Sequence, residues 1–158
     1  MIGDALLRLL KEEDFVDISI SKITQEAGVS RMTFYRNFET KDQIVEHIMQ
    51  STHEDIIQSV RRLQNPTLEN LLNFRFIAIQ KNTDIVNLAA QKYTRNLLRH
   101  FHEEKHEDIK IFLGGIDQYT TAFYQGGLDK LTSKWIETGM KESPKIMTKK
   151  VMKLIRQE

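Results

Sequence analysis

A chain of 158 residues with 40% hydrophobic content is long enough to bury one core or two small ones. It contains no cysteine, which excludes a disulfide scaffold and thiol chemistry and makes an intracellular, cytoplasmic setting the natural expectation. Its net charge of +1 gives no global basic field for nucleic acid, and no run of eighteen apolar residues offers a membrane span.

Ile2, Ala5, Leu6, Leu9 and Leu10 recur at helical spacing and predict an amphipathic first helix. Asp4 and Arg8 interrupt this opening, which lacks the basic start and long apolar run of a signal peptide. The next run, ISKITQEAGVSRMTFYRNF from Ile20 to Phe38, reads as a short helix, a glycine turn and a second short helix. Ile20, Ile23 and Ala27 share one face, Gly28 permits a positive φ where the first of these helices ends, and Ser30 can cap the second. On that second helix Phe34 and Phe38 lie on one side, Met32 and Arg36 lie nearly opposite, and Arg31 and Tyr35 occupy a flank. An apolar anchor therefore backs a polar edge that reaches outward, the pattern of a DNA-reading helix-turn-helix. The charge agrees only locally. The first fifty residues carry six Lys and Arg against nine Asp and Glu, whereas Lys22, Arg31, Arg36 and Lys41 outnumber Glu26 and Glu39 between Ser19 and Lys41.

Thr40 to Gln43 resembles a capping box, and Val45, Ile48, Met49, Thr52, Ile56, Val60 and Leu63 continue one stripe to Asn65 and Pro66, predicting a long connecting helix. Leu68, Leu71, Leu72, Phe76 and Ile79 predict a further helix, with Phe74 and Ile77 making a second side apolar. Asp84 can cap a short segment, and Tyr93, Leu97 and Phe101 mark another helix. From Asp108 to Gly139 one broad stripe, Ile109, Phe112, Leu113, Ile116, Tyr119, Phe123, Gly127, Leu131 and Trp135, predicts a long helix or a kinked pair. The doublets Gly114-Gly115 and Gly126-Gly127 suggest bends or close backbone approach within it. Pro144 opens a last helix with Met147, Val151, Leu154 and Ile155 inward. No strand alternation or repeat competes, and the fold class is all-α.

The residues AGVSRMTFYRNF, followed by Thr40, Lys41 and Asp42, resemble the signature of TetR-family transcriptional regulators over about residues 1 to 50. The resemblance implies an N-terminal three-helix helix-turn-helix DNA-binding domain over 1–45 and a C-terminal helical-bundle domain over 46–158 that binds an effector and dimerises. It implies a homodimer on a palindromic double-stranded operator, with DNA-facing residues Ser19, Ser30, Arg31, Met32, Thr33, Tyr35, Arg36 and Lys41. In that reading Tyr35 and Lys41 fix phosphate register, and Arg31 and Arg36 reach base edges or nearby phosphates. Thr33 adds a short polar contact, and Met32 reads shape or a thymine methyl. TetR-like regulators usually carry a Lys/Arg-rich arm before the first helix, whereas this sequence opens in that helix, so phosphate attraction and minor-groove contact are expected to be reduced.

For the second half the resemblance implies a cavity for an unidentified small molecule whose filling changes the separation of the two readers and releases the chain, as a repressor, from its operator. Residues combining apolar bodies with polar tips are its candidates: Phe74, Gln80, Tyr93, Asn96, Tyr119 and Tyr124. Ile116, Phe123, Trp135, Met147 and Val151 are the candidates for the dimer interface. A second reading assigns control to a protein partner, with the reader domain as scaffold and weak DNA binding. His102 to His106 matches the HExxH spacing of zinc hydrolases, yet charged neighbours and the lack of a third ligand favour a solvated face. No phosphate loop or nucleophile elbow is present, so neither an enzyme nor a metal or cofactor is expected.

Overall fold

Leu6 and Ala5 are fully buried and Ile2, Leu9 and Leu10 nearly so, which gives α1 (Ile2–Leu9) the single apolar face that its sequence spacing dictates. The structure, a computed structural model, describes residues 1–82, 84 and 112–156. Along the described residues α1 is followed by α2 (Ile20–Glu26), α3 (Arg31–Asn37), α4 (Lys41–Arg61), α5 (Leu68–Lys81), α6 (Gln118–Glu137) and α7 (Pro144–Arg156), with no strand among them. By their contacts they fall into two compact units, residues 1–53 with 82 and 84, and residues 54–81 with 112–156.

In the first unit α1 to α3 and the first half of α4 enclose one core of Leu6, Leu10, Phe15, Ile18, Ile23, Phe34, Ile44 and Val45. Ser19 caps α2 by accepting from the Lys22 amide, and Ser30 caps α3 by accepting from the Thr33 amide at 3.1 Å. Between them the Gly28 amide donates to Gln25 and the Val29 amide to Thr24, with Gly28 at φ 65°, so a Schellman turn sets the angle between the two helices. An Arg8 to Glu26 ion pair at 2.6 Å ties α1 to the end of α2.

The cap of α4 differs in register from the expected box. Thr40 Oγ1 accepts from the Gln43 amide at 3.4 Å, while Gln43 Oε1 reaches past Thr40 to accept from the Glu39 amide at 2.6 Å.

In the second unit α5 and α7 pack side by side, and Val60, Leu68, Leu71, Leu72, Phe76, Leu128, Trp135, Met147 and Val151 form the core. Phe76 and Trp135 meet edge to face at 5.3 Å. Arg75, half-buried on α5, donates to Asp129 on α6 at 3.1 Å; desolvation pulls its pKa down and Asp129 opposes that shift. The end of α6 repeats the Schellman pattern, with Gly139 donating to Ile136 and Met140 to Trp135.

Three expectations are corrected here. The first glycine doublet does break the chain, with Gly114 and Gly115 at φ 69° and 75°, but the second lies inside an unbroken α6, where a Cβ added at Gly126 or Gly127 would meet no atom beyond its own stretch of helix within 4 Å among the described residues. Tyr119 and Phe123 are 78% and 76% exposed; the inward face of α6 is Thr121, Leu128, Thr132 and Trp135 instead. Leu154 is likewise exposed, and Thr148 takes the inward position beside Met147 and Val151. The expected helix containing Tyr93, Leu97 and Phe101 lies outside the described residues, as do Asp108 and Ile109.

Candidate nucleic-acid interface

Phe34 is the pivot of α3: its side chain is fully buried, and its ring meets Tyr35 edge to face at 5.3 Å and Phe38 at 5.9 Å. Pinning that one face turns Arg31, Met32, Tyr35 and Arg36 outward, and all four are exposed, Met32 by 77% and Tyr35 by 56%. These side chains form a continuous edge, two guanidinium groups flanking a thioether and a phenol, able to donate to phosphate or base acceptors and to touch apolar base surface. Arg31 is steadied by donating to Ser21 Oγ across the turn. Arg36 has no ion-pair partner among the described residues.

The remaining expected contacts are placed differently. Ser19 and Ser30 have their hydroxyl oxygens engaged as helix caps, and Thr33, half-buried, exchanges a hydrogen bond with Ser30 at 3.0 Å. Lys41 turns inward. Its ammonium donates to the carbonyls of Phe15 at 2.5 Å, Val16 at 3.1 Å and Ile18 at 2.9 Å, and stands 4.6 Å from the centre of the Phe15 ring. Burial holds its pKa below the usual lysine value, with Asp42 and Asp17 acting in the opposite direction. An ammonium has three hydrogens, and three carbonyls take them, so in this arrangement none points to a phosphate. No sequence signal announces this, because a lysine opening a helix looks the same whether it faces solvent or folds back.

Two profiles match the chain: bacterial regulatory proteins of the tetR family over residues 2–48, and a transcriptional regulator C-terminal region over residues 66–157. The chain belongs to the TetR family of transcriptional regulators. The TetR fold is shared along nearly the whole length with solved structures. The fatty acid degradation regulator FadR from Bacillus halodurans is 19% identical, with a TM-score of 0.70 over 97% of this chain and 91% of that one. A TetR transcriptional regulator from Streptococcus agalactiae 2603V is 17% identical, with a TM-score of 0.71 over 98% and 90%. FadR from Bacillus subtilis, solved in complex with stearoyl-CoA, is 17% identical, with a TM-score of 0.66 over 97% and 95%. No curated protein sequence matches.

In the C-terminal unit of this TetR regulator the expected effector residues that the structure describes differ in exposure. Gln80 and Tyr119 are exposed, Phe74 is half-buried against the α5 core and Tyr124 half-buried on α6; Tyr93 and Asn96 lie outside the described residues. An open groove of about 250 Å³, lined by Glu69, Lys149, Met152, Lys153 and Arg156, contains none of them. Of the expected interface residues, Trp135, Met147 and Val151 are 2%, 4% and 5% exposed within the chain's own core, where Trp135 Nε1 also donates to Glu142 O, so they offer no surface to a second copy. Ile116 is half-buried and Phe123 exposed. His102 to His106 falls outside the described residues; among those described, no group of three metal-ligating side chains occurs and no helix is long and apolar enough to cross a membrane.

Proposed function

We propose that this TetR-family chain is a homodimeric repressor that binds a palindromic operator and releases it when an effector fills the C-terminal half. The observation that supports this most directly is the outward edge of α3, where buried Phe34 forces Arg31, Met32, Tyr35 and Arg36 into solvent together. In duplex DNA these residues lie in the major groove, with Tyr35 on phosphate, Arg31 and Arg36 on base edges or adjoining phosphates and Met32 against a thymine methyl. Ser19, Ser30 and Thr33 border that contact mainly through the caps they hold.

One copy of α3 reads too few bases for useful specificity, and two-fold symmetry supplies the second, one helical turn of DNA away. The exposed apolar side chains Tyr119 and Phe123 on α6, with Ile146 and Leu154 on α7, are the surface that the second copy would cover. Likeness to a regulator solved with stearoyl-CoA supports a small-molecule effector in general.

Footprinting on DNA upstream of the chain's own gene tests the reading. The expected result is protection of one two-fold symmetric segment with two half-sites about one helical turn apart. Uniform weak protection along the fragment would contradict it.

A further inference from the structure

We infer that Lys41 is a positioning residue for the reader helix, a tether that fixes the segment ahead of α2 to the start of α4, and not a ligand of the DNA backbone. The inference rests on the DNA-binding reading and refines which residues carry it. Four observations converge on it. The three carbonyls that receive the ammonium, those of Phe15, Val16 and Ile18, all belong to the short link between α1 and α2. Phe15 and Ile18 are themselves buried, at 0% and 1% exposure, so two of the three acceptors are held by the core, while Val16 between them is exposed. The Phe15 ring beneath the ammonium adds a cation–π contact at 4.6 Å. Finally, the link ends at Ser19, the cap of α2, and α2 passes directly through the Gly28 turn into α3.

Lys41 therefore sits at one end of a short, stiff series of contacts, and the outward edge of α3 sits at the other. Without the ammonium, the Val16 and Ile18 carbonyls lose this donor and the Phe15 carbonyl keeps the Ile18 amide at 3.3 Å, so the link must find new partners in water. The link then loosens, and with it the direction in which α2 and α3 present Arg31, Tyr35 and Arg36. A phosphate contact and a tether predict different salt behaviour. Each lost phosphate contact lowers the slope of log affinity against log salt by about one unit, whereas misorienting the reader lowers affinity at every salt concentration.

Lys41→Met keeps the stem over Phe15 and removes every donor. The decisive experiment titrates the wild-type chain and this variant with a duplex covering the chain's own promoter, over a salt series and well below both melting temperatures. The expected result is about a tenfold loss, the scale of one charge-assisted hydrogen bond, with parallel salt lines. Amides of residues 15–26 should exchange faster in the free variant. Because the chain has no cysteine, Lys41→Cys alkylated with bromoethylamine places an ammonium at this one position, and it should restore both affinity and slow exchange. A lowered salt slope with unchanged exchange would overturn the tether in favour of a phosphate ligand, and unchanged affinity would overturn it outright. Failure of the wild-type chain to bind any DNA would instead remove the functional reading, and the exchange comparison alone would then decide the tether.

Discussion

Phe34 and Arg36 stand two positions apart on α3 and meet opposite surroundings, one fully buried and the other exposed. This division was legible in the sequence, because 3.6 residues per turn fixes which side chains share a face once the anchor is known. The direction of a single long side chain was not legible, and Lys41 shows why: its stem and charge fit solvent, phosphate or a nest of carbonyls equally well. Arg31 is similar, its donation to Ser21 depending on the angle of the Gly28 turn and not on any local spacing. At this scale Arg36→Ala should weaken specific operator binding by about 1 to 3 kcal/mol if its guanidinium holds a base edge. Anisotropy titrations against operator and scrambled duplexes check this; equal weakening on both would move Arg36 to the phosphates. Ser30→Ala should cost about 1 kcal/mol of stability through loss of the α3 cap, seen as a lower urea midpoint with an unchanged slope.

At the scale of elements, α1 to α5 follow the apolar spacing closely because their inward positions are mostly Leu, Ile, Val and Phe, with Ala5, Thr24 and Met49 among them. The inward face of α6 was hidden because it uses threonines. Thr121 Oγ1 donates to the Asp117 carbonyl at 2.8 Å, and Thr148 on α7 repeats this with the Pro144 carbonyl at 2.9 Å, so these two hydroxyls are satisfied locally and the residues are buried as apolar ones, whereas Thr132 Oγ1 is buried with no partner among the described residues. The exposed aromatics Tyr119 and Phe123 then mimicked a core stripe. The two glycine doublets differ in φ, and their substitutions should differ in sign. Gly126→Ala should stabilise α6 by about 0.5 to 1 kcal/mol, since the helix interior favours alanine. Gly114→Ala, at φ 69°, should destabilise. Chemical denaturation of both variants checks the pair, and destabilisation by Gly126→Ala would reveal a backbone packed against that face.

The start of α6 adds a pH signature. Asp117 accepts from the Thr120 hydroxyl and from the Thr120 and Tyr119 amides, and these bonds hold its pKa below the usual 3.8. A depressed carboxylate stabilises the fold above its ordinary pKa, and that contribution is lost as pH falls through the lower folded value. Wild-type protein should therefore melt above Asp117→Asn at neutral pH, with the gap closing in acid. A gap independent of pH would place the benefit in the oxygen acceptor and not in the charge.

At the scale of the whole molecule, the N-terminal residues carry the family resemblance, because the Gly28 turn, the Thr33 to Tyr35 triplet and Phe38 are local features. Self-association was less legible, since residues inside a monomer core and residues between two copies are equally apolar. Trp135, Met147 and Val151 belong to the former, and among the described residues of the C-terminal unit Tyr119, Phe123, Ile146 and Leu154 are the exposed large apolar side chains on which the proposed dimer would draw. Phe123→Asp should shift the chain toward monomer in sedimentation, and because both readers are needed, it should also weaken operator binding. The most direct test of DNA reading is fluorescence anisotropy of a labelled duplex from the chain's own promoter, titrated with protein at several salt concentrations against a scrambled duplex. Steep loss of affinity with salt, together with clear preference for the promoter sequence, is the predicted result. Equal affinity for both duplexes, or no binding at low salt, would contradict it.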